Sequence, residues 1–121
     1  MNAEMLELAR RAVACEGWRW MEGMLAARHK GGVVDMTSSH RIDHMSIAVM
    51  DSIGWLPILD EDPAAAGCLL HLVREAWGDP KIFMSAHMSF WMPSRPFGVL
   101  MNSGAPTEIE TLVAALEAGS K

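Results

Sequence analysis

The 121-residue chain contains no tyrosine and only two cysteines, Cys15 and Cys68. Two isolated thiols are more often small buried side chains than a disulfide, so a disulfide-stapled scaffold is not expected. No stretch approaches the ~20 uninterrupted apolar residues that a membrane helix requires. The first residues, Met1 to Glu4, lack the basic and then apolar layout of a signal peptide. These absences predict a soluble protein of the cytoplasm that does not insert into a membrane.

Charge is also sparse, and no basic stripe is present. Half of the residues are hydrophobic, 21% are charged and the formal net charge is −5. Residues 1–44 hold six acidic and six basic side chains, whereas residues 45–121 hold nine and four. Because phosphate contacts supply most of the affinity for nucleic acid, direct nucleic-acid binding is not expected. The composition instead predicts one folded domain over residues 1–121, with an acidic second half suited to a basic partner.

Three segments carry the apolar periodicity of an amphipathic helix. Asp62 followed by Pro63 is typical of an N-cap and a first helical position. Thr107 and Glu110 form a capping box ahead of the last periodic segment. The expected borders are Met5 and Gly17 for the first helix, Asp62 and Gly78 for the second, and Thr107 and Gly119 for the third.

Alternation of larger and smaller side chains indicates five strands, the longest over Lys81–Met92. Pro93 and Pro96 predict a turn around Ser94 and Arg95. The expected strands are Met24–Arg28, Val33–Thr37, Met45–Val49, Lys81–Met92 and Phe97–Met101.

Strands joined by short connections pair antiparallel. We therefore expect an α+β fold of order αβββαββα, in which one antiparallel sheet of about five strands carries helices on one face. The open face of Lys81–Met92, defined by Phe83, Ser85, His87, Ser89 and Trp91, would then be available to a second copy of the chain.

The histidines are weak evidence for a metal site or a catalytic site. His40 and His44 have the spacing of paired metal ligands. The pair lacks an adjacent general-base glutamate and a cysteine pair, and we expect it to lie in a loop. Asp43 and His87 would complete a ligand set only if the fold brought them close. We expect no metal and no cofactor, and a small metal-dependent or hydrolytic enzyme using His40 and His44 is an alternative.

Two clusters are candidate binding surfaces. Asp60, Glu61 and Asp62 precede the second helix, where the positive end of the helix dipole favours negative charge. Helix capping accounts for the presence of these carboxylates without a catalytic role. The same carboxylates, together with Asp79, would also attract a basic partner.

The second cluster is Trp18-Arg19-Trp20. If this segment is extended, both tryptophans point one way and Arg19 the other. The tryptophans would then either cover an edge of the core or form an interface hot spot.

Three stretches, Gly17–Leu25, Cys68–Pro80 and Thr107–Gly119, resemble a family of small proteins encoded in bacteriophages and prophages. In that family a Trp-Arg-Trp-Met segment, here Trp18–Met21, precedes a variable sheet. The match covers under a third of the chain. No catalytic residues are assigned to the family, so the resemblance implies a genomic setting and a fold rather than an active site.

This resemblance implies an accessory module that binds a host protein or protein complex. One concrete form is an inhibitor of a host defence complex, such as an anti-CRISPR protein that occupies a surface made for nucleic acid. A homodimeric structural or regulatory phage protein is a further alternative. The genomic setting that the resemblance implies and the acidic composition both favour a protein-binding function. The residues by themselves do not identify the partner.

Overall fold

Capping residues mark the borders of the two longer helices. The computed structural model describes residues 3–30, 33–43, 47, 55–59, 62–87, 90–96, 98–99 and 104–120. The Asp62 side chain accepts a hydrogen bond from the backbone N–H of Ala64 at 3.2 Å, and Gly78 ends the helix in the left-handed conformation, with φ of 65°. The Thr107 side chain accepts from the N–H of Glu110 at 3.2 Å. The helices are α1 (Ala3–Val13), α2 (Pro63–Trp77) and α3 (Glu108–Gly119).

The expected borders of α2 and α3 are thus confirmed, whereas α1 already ends at Val13. Gly17 has a different role from the expected helix stop. A Cβ atom at Gly17 would lie 2.7 Å from Ser120 Oγ and 3.2 Å from Ala76 Cβ. Gly17 therefore allows the segment after α1 to approach both other helices closely.

The expected single sheet of about five strands is wrong, although the α+β class is confirmed. The described residues form two antiparallel three-stranded sheets, with strand orders β2-β1-β3 and β4-β5-β6. The element order is αβββαβββα. The strands are β1 (Leu25–Lys30), β2 (Val33–Arg41), β3 (Trp55–Pro57), β4 (Phe83–His87), β5 (Phe90–Arg95) and β6 (Gly98–Val99).

The expected strand Lys81–Met92 is in fact a hairpin of β4 and β5. His87 lies opposite Phe90, so the chain reverses direction between them. Residues 88–89 lie outside the described part of the chain. The reversal places Trp91 opposite Ala86, on the face opposite to that of Phe83 and Ser85. Residues that simple alternation assigned to one open face, such as Ser85 and Trp91, therefore lie on opposite faces of this sheet.

The expected turn at Ser94 and Arg95 is also displaced, because both residues belong to β5 and pair with Val99 and Gly98 of β6. Pro93 is tolerated within β5 for a geometric reason. Trp91 exchanges backbone hydrogen bonds with Ala105 on the side away from β4. Backbone groups alternate along a strand, so the missing N–H of Pro93 also faces away from β4 and leaves the β4 ladder intact.

Two other strand expectations differ from the structure. Of Met45–Val49 only Ile47 is described, in a 3₁₀ conformation; the other four residues lie outside the described part. Strand β2 extends to Arg41, so His40 lies in a strand and not in the expected loop.

Helix α3 occupies the centre of the packing, because it contacts α1, α2 and β5. Leu112, Val113 and Leu116 on α3 are fully buried, and they meet Leu69 and Leu72 of α2 in the same core cluster. Trp77 Nε1 donates a hydrogen bond to the backbone oxygen of Ala115 at 2.9 Å, which fixes the end of α2 against α3. Residues of all three helices and of strands β1 and β3 therefore belong to one core cluster, and α1 also contacts β3.

Candidate functional site

The structure places both tryptophans of Trp18-Arg19-Trp20 against the core. Their rings form an edge-to-face pair with centroids 5.3 Å apart and planes at 82°. Trp20 is 7% exposed, and Trp18 is half-buried against the same cluster. The Trp18 Nε1 atom is buried and has no hydrogen-bond partner among the described residues. The two rings close one edge of the core, and only Arg19 faces solvent.

Arg19 is held by a carboxylate of α2. Its Nη2 atom lies 2.7 Å from Glu75 Oε1, and its Nε atom donates to Glu75 Oε2 at 3.1 Å. His71, one turn earlier, lies 3.0 Å from the same carboxylate. The hydrogen bond from Arg19 lowers the pKa of Glu75 below its ordinary value, with a smaller contribution from His71. Arg19 is therefore committed to an ion pair within the molecule.

Asp62 is buried and serves the structure of α2. In addition to its capping bond, its Oδ1 atom lies 2.7 Å from Arg41 Nη1. Arg41 also donates to the backbone oxygen of Gly23 at 2.9 Å, which links β2 to the turn before β1. A carboxylate held in this way presents little charge to a partner.

Asp79 is similarly engaged. Its Oδ1 atom accepts the backbone N–H of Lys81 at 2.9 Å, and its Oδ2 atom lies 2.9 Å from Arg95 Nε. The Arg95 guanidinium lies over the Trp77 ring, 6.0 Å from its centroid. These contacts fix the entry into β4 against β5.

The remaining candidates do not converge in the described structure. Asp60, Glu61 and His44 lie outside the described residues. His40 and Asp43 are exposed near the end of β2, whereas residue 87 ends β4 in the other sheet. Within the described part of the chain, no three His, Cys, Asp or Glu side chains are grouped to hold a metal ion.

The two cysteines, Cys15 and Cys68, are free thiols, and both are partly buried. Burial is the main cause that raises the pKa of each thiol above its ordinary value. A raised pKa disfavours the reactive thiolate at neutral pH. The thiols therefore behave as the small, partly buried side chains expected from the sequence.

An open groove lies between α1 and α3. Its volume is about 560 Å³. Its lining combines small or apolar side chains with three carboxylates and one arginine. The lining residues are Ala3, Glu4, Glu7, Leu8, Arg11, Ala105, Glu110 and Ala114.

The α1–α3 groove is negatively charged. Among its described lining residues the one cation is Arg11, which is paired with Glu117 of α3 and donates from Nε to Oε2 at 3.2 Å. Glu4, Glu7 and Glu110 are within ion-pair distance of no described cation, although the charge of Glu7 helps to raise the pKa of Arg11. The described lining of the groove therefore holds more carboxylates than cations.

Sequence reasoning missed this groove, because its acidic residues come from opposite ends of the chain. The sequence signal for these acidic residues was confined to each helix separately. Glu4 stands in the first turn of α1, and Glu108 and Glu110 stand in the first turn of α3, where the helix dipole favours acidic residues. Such residues have a structural explanation one helix at a time, and only the packing of α1 on α3 brings them together.

Comparisons with models of protein families, with curated protein sequences and with solved structures found no match for this chain. None of the described helices is both long enough and apolar enough to cross a bilayer.

Proposed function

We propose that this chain is an accessory protein of phage or prophage origin that binds a host protein and occludes its surface. The acidic α1–α3 groove is the contact surface in this proposal. The observation that carries it is the set of three carboxylates, Glu4, Glu7 and Glu110, which line one groove together with small and apolar residues.

Charge complementarity selects the class of partner. A groove of this kind attracts Lys and Arg side chains, and long-range attraction between an acidic and a basic surface speeds association. Proteins that handle nucleic acid carry basic surfaces for phosphate, so they are the natural targets of an acidic competitor. The inhibitor of a host defence complex, in the manner of an anti-CRISPR protein, is the concrete form of the proposal.

Phage plating tests this form directly. The chain is expressed in host strains that each carry one type of active CRISPR interference, and each strain is challenged with a phage that the system targets. We expect the efficiency of plating to rise in one of these strains and to stay unchanged in a strain without interference. No rise in any interference type would overturn the anti-CRISPR form.

A matched pair of variants then tests the groove. E4Q/E7Q removes two exposed carboxylates that line the groove, whereas E16Q/E22Q removes two exposed carboxylates outside it and changes the net charge equally. With the complex identified by plating, we expect E4Q/E7Q to slow association about tenfold at low salt and much less at high salt. E16Q/E22Q should associate almost as the parent does. Equal slowing in both variants would show that net charge, and not the groove, drives binding.

A further inference from the structure

The α1–α3 groove already holds one guanidinium, that of the chain's own Arg11. The Arg11 Nε atom donates to Glu117 Oε2 at 3.2 Å, and Nη2 donates to Oε1 of the same carboxylate. Glu117 follows Ala114, a lining residue, by three positions on α3, so the two lie on the same side of that helix. The structure therefore shows how a carboxylate beside the groove binds an arginine, side-on and through two hydrogen bonds.

The helix dipole does not by itself explain this contact. Arg10 and Arg11 both stand in the last turn of α1, where the negative end of the dipole favours cations. Of the two, Arg11 is the one that lines the groove. The hydrogen bond to Glu117 is the main cause that raises the pKa of Arg11, and the charge of Glu7 adds to it. Arg11 thus offsets negative charge contributed by both helices.

The contact between Arg11 and Glu117 can exchange partners without disturbing the core. Their side chains are 41% and 36% exposed, and an ion pair with this exposure is weak because water competes for both groups. The fully buried side chains between the helices, such as Ala12 and Leu116, belong to the core cluster and take no part in the pair. Rotation of the Arg11 side chain is enough to open Glu117 to an incoming cation.

We propose that Arg11 is an internal competitor for the groove, and that an arginine of the host protein displaces it from Glu117 when the partner binds. This inference rests on the proposed function, because it takes the groove as the contact surface. It narrows the partner chemistry from basic side chains in general to arginine. A lysine ammonium cannot make the two parallel hydrogen bonds that Glu117 makes with a guanidinium.

Two labelled peptides test the exchange on the purified full-length chain. One peptide carries three arginines that alternate with glycine, and the other carries three lysines in the same positions. Their affinities are measured by fluorescence anisotropy at low salt. Arg11→Gln opens Glu117 and removes a cation, so we expect it to bind the arginine peptide about fivefold more tightly than the parent. The lysine peptide should gain clearly less.

Matched variants separate the groove from net charge. Arg10→Gln removes an exposed cation from the same turn of α1, and it should change the affinity less than twofold. Arg11→Lys keeps the cation but not both hydrogen bonds, so its gain should lie between those of the parent and R11Q. In R11Q/E117Q the gain should disappear, because the carboxylate that was opened is absent. Thermal melts establish that each variant is folded, and R11K keeps the test available if R11Q is not.

Failure of this inference is distinguishable from failure of the proposed contact surface. Equal gains in R11Q and R10Q, a gain that persists in R11Q/E117Q, or equal gains for both peptides would overturn the exchange at Glu117. If E4Q/E7Q still weakens binding of the peptides in those cases, the groove stands as the contact surface. If neither peptide binds the parent or R11Q, both the exchange and the groove are excluded.

Discussion

At the scale of single residues, Asp62 shows how one side chain serves two elements. Its Oδ1 atom accepts both from the first turn of α2 and from Arg41 of β2, while its buried Oδ2 atom has no partner among the described residues. The sequence identified the capping role, because an aspartate before a proline and a periodic segment is a local pattern. The link to Arg41 depends on tertiary packing, so no local pattern could show it.

Replacing Asp62 separates these roles. Asp62→Ala removes the capping oxygen and should lower the free energy of unfolding by about 1–2 kcal/mol. Asp62→Asn keeps an acceptor at the capping position and should lose less. Chemical denaturation of both variants measures the difference. Equal losses would assign the effect to the charge of Asp62 and contradict its role as a cap.

Glu75 gives a residue-scale prediction for pH. The hydrogen bond from Arg19 lowers its pKa in the folded state. Its contribution to stability is therefore fully present above the pKa of the unfolded chain and is lost as pH falls through the lower, folded pKa. Both partners are about half exposed, so this contribution should stay below about 1 kcal/mol.

NMR titration of the Glu75 carboxyl group measures this effect. The midpoint should lie below the ordinary glutamate value in the parent and should move upwards in Arg19→Gln. His71→Gln should move it less, because Arg19 is the larger cause. A midpoint that does not respond to R19Q would show that the ion pair does not persist in solution.

At the scale of elements, helix α2 carries much of the core. Leu72 is fully buried on the face towards α3, whereas Leu70, two residues earlier, is only partly buried. Leu72→Ala should lower the free energy of unfolding by about 2–5 kcal/mol. Leu70→Ala should cost clearly less, since less apolar surface leaves the core. Thermal melts of the two variants compare them, and similar midpoints would contradict the assigned face of α2.

Helices proved more predictable than strands, for a physical reason. The borders of α2 and α3 follow from capping residues that act within a few positions of the chain. The β4–β5 hairpin was missed because alternation of side chains reports which face each residue occupies and not whether the chain reverses. The chain reverses somewhere between His87 and Phe90, and the intervening sequence, Met88-Ser89, contains no glycine, asparagine or proline to signal a turn.

At the scale of the whole molecule, the packing of the helices, more than position along the chain, decides which acidic side chains come together on the surface. Residues 1–44 are neutral overall, which concealed the contribution of Glu4 and Glu7 to an acidic surface. That surface appears only when α1 meets Glu110 of α3. In contrast, Asp62, Glu75 and Asp79 of the acidic second half each pair with an arginine within the molecule. Of the four carboxylates predicted from the sequence to bind a partner, Asp62 and Asp79 are thus paired within the molecule, and Asp60 and Glu61 lie outside the described residues.

The contact between α1 and α3 also has a consequence for biosynthesis. Arg11 and Glu117 are 106 positions apart, and the N–H of Gly17 meets Ser120 Oγ across 103 positions. On the ribosome, α1 is translated well before α3, its main helical neighbour. The apolar side chains of Leu8, Ala9 and Ala12 therefore cannot be covered by α3 until the residues between the two helices have been made. The nascent chain should gain its native resistance to protease late, in a single step that coincides with the arrival of α3.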